Sequence, residues 1–160
     1  MQDLKECRRL VKDVIEGDED DLQQACEKCF AEGAVFRHPF FRIGGRENMI
    51  RMFKAWRRCN WKHSVTINNL WTNDSTVLLD ITQTFRLYFL PFMEGRMQMF
   101  VELDCKQDAR SGKWVIVGQK DYYPVTSLIR LTAPGRFLYD NVLLVVFTLL
   151  FFLFSLLLGI

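Results

Sequence analysis

No charged residue follows Asp140. The 21 lysines and arginines and the 19 aspartates and glutamates all fall in the first 140 positions, and Val142 to Ile160 reads VLLVVFTLLFFLFSLLLGI. The mean hydropathy of zero, which alone would describe an ordinary soluble domain, is thus the average of two unlike parts. In a helix the uncharged stretch extends about 28 Å, close to the thickness of a bilayer's hydrocarbon core. A buried core helix normally keeps a polar stripe, whereas Thr148 and Ser155 carry the only hydroxyls here. The expectation is a single transmembrane helix, with residues 137–160 as a C-terminal anchor and 1–136 as the domain before it. The opening MQDLKECRRL has no apolar run of signal-peptide length, so the domain is expected to stay cytosolic. Arg130 and Arg136 precede the span and nothing basic follows it, in agreement with a positive-inside orientation. A span that ends without basic residues favours the endoplasmic reticulum over the mitochondrial outer membrane.

About 135 residues are left for folding, enough for one domain and too few for two. With 25% charged and 49% apolar residues the chain is not disordered, and a net charge of +2 gives no basis for nucleic-acid binding. Five cysteines without an export signal are expected as reduced thiols. Cys26 and Cys29 form a CxxC, but zinc needs two further ligands and a thioredoxin motif needs a preceding strand. Their spacing instead fits one helix face with Leu22 and Phe30. Two histidines without HExxH spacing suggest no metal, and no phosphate-binding, dinucleotide or nucleophile-elbow motif is present, so no cofactor is expected.

Helical spacing of Leu4, Val11, Val14 and Ile15 predicts a first helix over Asp3 to Glu16. The acidic run Asp18 to Asp21 opens a second that continues to Gly33. An extended piece, Ala34 to Pro39, and a loop with Gly44 and Gly45 lead to a third helix over Arg46 to Arg58, with Met49, Ile50, Phe53 and Trp56 on one side. The basic excess Arg42, Arg46, Arg51, Lys54, Arg57, Arg58 and Lys62 suits either a solvated helix face or anionic lipid. From Trp61 the period becomes two. His63, Val65, Ile67, Asn69 and Trp71 share a face. Val77, Leu79, Ile81, Gln83 and Phe85 share the next, followed by Met97 to Cys105 and by Val115, Val117, Gln119 and Asp121. The implied architecture is α+β: three N-terminal helices packed on a curved antiparallel sheet, plus the C-terminal transmembrane helix.

This order, together with Phe36-Arg37-His38-Pro39, then Gly45-Arg46-Glu47 opening a helix, and a closing Gly118-Gln119-Lys120-Asp121-Tyr122-Tyr123, resembles the nuclear transport factor 2-like superfamily over roughly residues 2 to 125. That superfamily includes ketosteroid isomerases, limonene-epoxide hydrolase and SnoaL-like polyketide cyclases. The resemblance implies a cone-shaped, cystatin-like fold whose sheet and helices enclose an apolar pocket. His38 precedes the proline where the isomerases carry their general base, and Asp121 matches a closing-strand acid of the epoxide hydrolase, so these two are the candidate acid/base pair. The polar pair that positions water in the hydrolase falls at Val35 and Arg37, and its Arg-x-Asp falls at Gln83 and Phe85, so epoxide hydrolysis is not expected.

The polar residues expected on pocket-facing positions are His63, Asn69, Gln83 and Gln119, with Trp56 as a stacking surface; all five are candidate ligand contacts. Asp80, on the opposite face, reads as surface or dimer contact. The leading functional expectation is a membrane-tethered pocket domain that binds a hydrophobic small molecule or lipid. One alternative is an isomerase- or cyclase-type enzyme using His38 and Asp121 for proton transfer. The other is an adaptor that forms a homodimer through its sheet.

Overall fold

The computed structural model describes residues 6–88, 92, 94–109, 111–124, 133–146, 148–149 and 153. Helix α1 (Cys7–Ile15) buries Cys7, Leu10 and Val11 at helical spacing. It reverses into α2 (Glu19–Cys29) at Gly17, where a Cβ would lie 2.5 Å from the Asp13 carbonyl oxygen, closer than any side chain tolerates. Asp18 caps α2 by accepting from the N–H groups of Asp20 and Asp21 at 2.9 and 2.7 Å, while Asp21 accepts from the Asp18 N–H. Such a reciprocal cap stabilises a helix start by about 1 kcal/mol.

Helix α2 stops at Cys29 rather than reaching Gly33, because Phe30 opens strand β1 (Phe30–His38) and pairs with Ile116. The expected loop after Pro39 is partly a strand: β2 (Phe41–Gly44) folds back on β1 through a two-residue turn, with His38 opposite Phe41. Four residues are too few for a period to show in sequence. Gly45, at φ +88°, makes the left-handed step that starts α3 (Arg46–Arg58), a conformation that favours glycine.

Strands β3 (Asn60–Asn73), β4 (Thr76–Leu87), β5 (Gly95–Gln107) and β6 (Trp114–Tyr122) form an antiparallel meander, close to the expected boundaries. The sheet order is β2-β1-β6-β5-β4-β3, and β1 lies parallel to β6. A bulge between Ile67 and Asn69 shifts β3, so Leu70 rather than Asn69 or Trp71 follows Ile67 on the inner face. A second irregularity, between Asp104 and Cys105, places Ile116 opposite Cys105 but Gln119 opposite Leu103. Val115 and Val117 therefore leave the inner face, which receives Ile116, Gln119 and Asp121.

The core lies between the helices and the inner face of the sheet, with Leu22, Met49, Leu79, Ile81, Leu103 and Ile116 fully enclosed. Cys7, Cys26, Cys29 and Cys105 are buried thiols outside any disulfide among the described residues; the CxxC pair faces this core, and burial pushes the Cys26 thiol up to about 12. They act as small apolar side chains.

Much of the basic cluster of α3 holds the helices together. Arg46 donates to the carbonyls of Glu27 and Phe30 at 3.2 and 3.0 Å, meeting groups that the end of α2 leaves without helical partners. Arg57 donates to the Asp18 carbonyl, Arg58 pairs with Glu19 at 2.8 Å, and Lys54 donates to Gln23.

Beyond the sheet, α4 (Ala133–Leu138) continues into a π-helical turn (Tyr139–Leu143). Most of the expected span from Val142 to Ile160, and Arg130 before it, lie outside the described residues. Among the described residues no helix is long and apolar enough to cross a membrane.

Leu79 is fully buried at the centre of the sheet. Leu79→Ala is expected to cost about 3 kcal/mol, from lost transfer energy plus the cavity left behind. Urea denaturation monitored by circular dichroism measures it, and a loss below about 1 kcal/mol would show that the site collapses to fill the gap.

Candidate functional site

The three helices do not fill the inner face of the sheet. Between them remains a cavity of about 420 Å³, walled by Val11, Val14 and Ile15 of α1, Met52, Phe53 and Trp56 of α3, and inward side chains of β4 and β5 from Ile81 to Leu103. Its polar residues are His38, Gln83, Gln119, Asp121 and Tyr123.

Four of these are linked. Along β6 and its extension, Gln119, Asp121 and Tyr123 recur every second residue and so face the same side. The Gln119 amide donates to Asp121 Oδ1 at 3.0 Å, and Tyr123 and Asp121 share a hydrogen bond. His38 Nε2 lies 3.0 Å from Tyr123 Oη. The other ring nitrogen, Nδ1, accepts from the Phe40 N–H at 3.3 Å, and the ring stacks on Phe41 with centroids 4.4 Å apart. With Nδ1 as acceptor, the neutral imidazole carries its hydrogen on Nε2 and donates to Tyr123, whose own hydrogen is then directed to Asp121. The expected His38 and Asp121 pair is therefore joined through a tyrosine rather than in direct contact.

Electrostatics follows from enclosure. Asp121 keeps some accessible surface, but that surface opens into the cavity. Desolvation pushes its carboxyl up to about 7, against the lowering effect of the bonds from Gln119 and Tyr123. Burial and the neighbouring Asp121 carboxylate raise the Tyr123 phenol far above its ordinary value, and burial lowers the His38 imidazole. At neutral pH the wall thus holds a neutral histidine, a neutral tyrosine and a carboxyl near its midpoint. Such an array can accept, hold or return one proton.

Two strands away on β4, Gln83 is buried with no hydrogen-bond partner for its side chain among the described residues. Trp56 contributes to the wall and packs edge-on against Phe85, with centroids 5.3 Å apart.

Two expected contacts lie elsewhere. His63 is half-buried opposite Phe85 on β3, outside the cavity lining. Its Nδ1 has no hydrogen-bond partner among the described residues, and burial together with Arg57 lowers its pKa. The β3 bulge takes Asn69 out of the inner register, and its side chain joins Asn68 and Gln98 around the Asp80 carboxylate on the outer face. Those bonds hold the Asp80 carboxyl below its ordinary value despite its burial. Tyr123, the link sequence reasoning missed, could have been found by extending the parity of Gln119 and Asp121 by one step.

The family model of the SigF NTF2-like domain matches residues 1–160. No curated protein matches the chain. Among solved structures, a ketosteroid isomerase-like protein from Catenulispora acidiphila in complex with trimethylamine is similar at 16% identity and TM-score 0.59, over 77% of this chain and 91% of that one. A limonene-epoxide-hydrolase-like enzyme of M. tuberculosis is similar at 15% identity and TM-score 0.59, covering 84% and 95%. A putative SnoaL-like polyketide cyclase from Jannaschia is similar at 10% identity and TM-score 0.60, covering 79% and 91%. At these identities the likeness is one of fold, and it agrees with the helices packed on one face of the six-stranded sheet described above.

Because Asp121 holds its proton to higher pH in the folded chain than in the unfolded one, its effect on stability is absent below about pH 4. Stability then falls as pH rises toward 7, where the folded carboxyl ionises, and levels off above that. Asp121→Asn is expected to remove this slope and to raise the urea midpoint at pH 8 while leaving it nearly unchanged at pH 4. An unaltered slope in the variant would place its origin in another group.

Proposed function

The chain belongs to the SigF NTF2-like domain family, and from that premise we propose that it is a pocket domain that binds an apolar small molecule or lipid, tethered to a membrane by Val142 to Ile160 with the domain on the cytosolic side. The observation that carries this reading is the cavity itself, about 420 Å³ of apolar-walled space with a few polar groups among its lining. That is the usual form of a small-molecule site. The Gln83 amide on β4 and the Gln119, Asp121, Tyr123 and His38 chain two strands away suit a largely hydrocarbon ligand with a hydroxyl or carbonyl at one or both ends. The uncharged C-terminal sequence supports the tether by its length and composition.

A second reading, proton transfer on the bound molecule, is favoured by one observation: Asp121 is poised at about 7 and wired through Tyr123 to His38. An enzyme working near neutral pH needs a group with such a midpoint. In this reading Asp121 exchanges the proton with the ligand while Tyr123 and His38 hold its orientation. The adaptor reading, with a homodimer through the sheet, draws less support. The cavity is not filled, and the outer sheet face is rich in polar contacts, including Lys120 with Glu102 and Asp104 and the ring of amides around Asp80.

Mass spectrometry of apolar molecules that co-purify with the detergent-extracted protein tests the first reading. Met52→Trp, which builds an indole into the cavity from a partly buried position on α3, is expected to lose the bound molecule while circular dichroism shows an intact fold. An equal yield of the molecule from both proteins, or none from the unaltered chain, would refute the reading. For the second, a lipid extract is expected to give a product with the unaltered chain that is absent with His38→Ala, although the variant still binds. Equal turnover by both would remove His38 from any such role.

A further inference from the structure

One end of the sheet differs from the other. Strand β1 runs to His38 and β6 runs parallel to it to Tyr122, while β4 ends and β3 and β5 begin at that same end. The β3–β4 and β5–β6 turns lie at the opposite end. The connections around the first end carry Phe40, Phe41, Trp56, Trp61, Tyr88 and Phe92, all exposed. Phe40 and Phe92 present 73% and 80% of their surface to solvent, so most of the free energy that burying each ring would supply is unrealised. At the opposite end Trp71 is the one large apolar side chain exposed among the described residues.

Four further observations bear on what covers this rim. Phe40, Phe41 and Trp56 also line the cavity, so the exposed apolar surface is continuous with the interior. Arg42 follows Phe41 and Lys62 follows Trp61, both exposed and neither in an ion pair among the described residues. Most acids at this end are committed: Asp18 and Asp21 to the cap of α2, Glu19 to Arg58 and Glu94 to Arg86, leaving Asp20. The chain also leaves β6 from this end, on its way to the uncharged residues 142–160.

We propose that this rim docks on a phospholipid bilayer, its aromatic side chains in the interfacial layer, so that the cavity opens into the lipid from which its ligand enters. Aromatic side chains favour the membrane interface, and neighbouring lysine and arginine add attraction to anionic headgroups. A C-terminal anchor alone would hold the domain near the bilayer in any orientation; the rim fixes the orientation with the mouth toward the lipid. A protein partner of apolar character would show itself by the absence of lipid contact. The proposal rests on the pocket reading for its purpose, though not for its geometry.

The test uses the full chain in vesicles of phosphatidylcholine and phosphatidylserine containing brominated phosphatidylcholine, which quenches tryptophan on contact. Two variants each keep a single tryptophan, Trp61 at the rim or Trp71 at the far end, the other three being replaced by phenylalanine. Several-fold stronger quenching of Trp61 than of Trp71 is expected, and Phe40→Ser with Phe92→Ser is expected to abolish the difference. Equal quenching, quenching of Trp71 alone, no quenching or no association with vesicles would each overturn docking by the rim. Ligand retention, measured separately in detergent, distinguishes the two claims. A retained ligand without Trp61 quenching ends the docking proposal alone, and Trp61 quenching without any ligand ends the pocket reading alone.

Discussion

The parallel pairing of β1 with β6 is the contact on which the rest of the site depends. It is the single parallel neighbour relation in the sheet, and it attaches the segment that follows the first two helices to the last strand of the meander. Its register sets Phe36 opposite Gln119 and Arg37 opposite Lys120, so that the next residue, His38, reaches Tyr123 across the strand ends. A slip of one residue would turn Phe36 and His38 to the outer face and Arg37 inward, which the cavity could not accommodate. Arg46 reinforces the arrangement from the other side by binding the carbonyls where α2 gives way to β1. Helix packing, strand register and the polar wall are thus one structural problem with one solution.

That solution retains a group that opposes folding. An aspartate enclosed by apolar walls, with no cation beside it among the described residues, destabilises the folded chain at neutral pH by resisting ionisation. Asparagine would keep much of the hydrogen bonding without that cost. Elsewhere the structure treats charges differently: Glu19 has Arg58, Glu102 has Lys120, and Asp80 has three amide side chains, and each has its carboxyl pKa lowered. Asp121 stands apart in having its pKa raised, and perturbations of this kind gather at functional sites.

The sequence made the elements legible where a period ran long enough. Helix α3 falls where expected and the four long strands are right to within a few residues, whereas the His38 and Asp121 pair suggested by resemblance is separated by Tyr123. What was lost was lost to two kinds of local event. Bulges in β3 and β6 break the alternation, so Asn69, Val115 and Val117 were placed on a face from which an unpaired residue removes them. In β6 the adjacent Gly118, where a Cβ would lie 2.9 Å from Asp104 Oδ2, is a residue type that marks such a bulge, whereas β3 carries no such signal. Tertiary pairing also overrode local preference at Phe30, whose spacing suits the α2 face until β6 takes it as a strand partner. Tyr123 was missed because it lies one step past the strand, where parity still applies although ladder pairing has stopped.

The cavity is the feature whose magnitude decides how the chain should be regarded. Empty space inside a protein costs about 24 cal/mol per Å³ relative to a filled core, so some 420 Å³ kept dry and vacant would cost on the order of 10 kcal/mol. That is comparable to the whole stability of an ordinary domain. The cavity has a mouth, which makes this an upper bound, yet water is a poor filler for walls of leucine, valine, methionine and phenylalanine. Larger side chains on α1 and α3 would have closed the space, and the sequence does not supply them at Val14 or Met52. A chain that leaves such a volume open, exposes phenylalanines at its entrance and keeps a proton-holding carboxyl in its wall fits the proposal that an apolar molecule completes it.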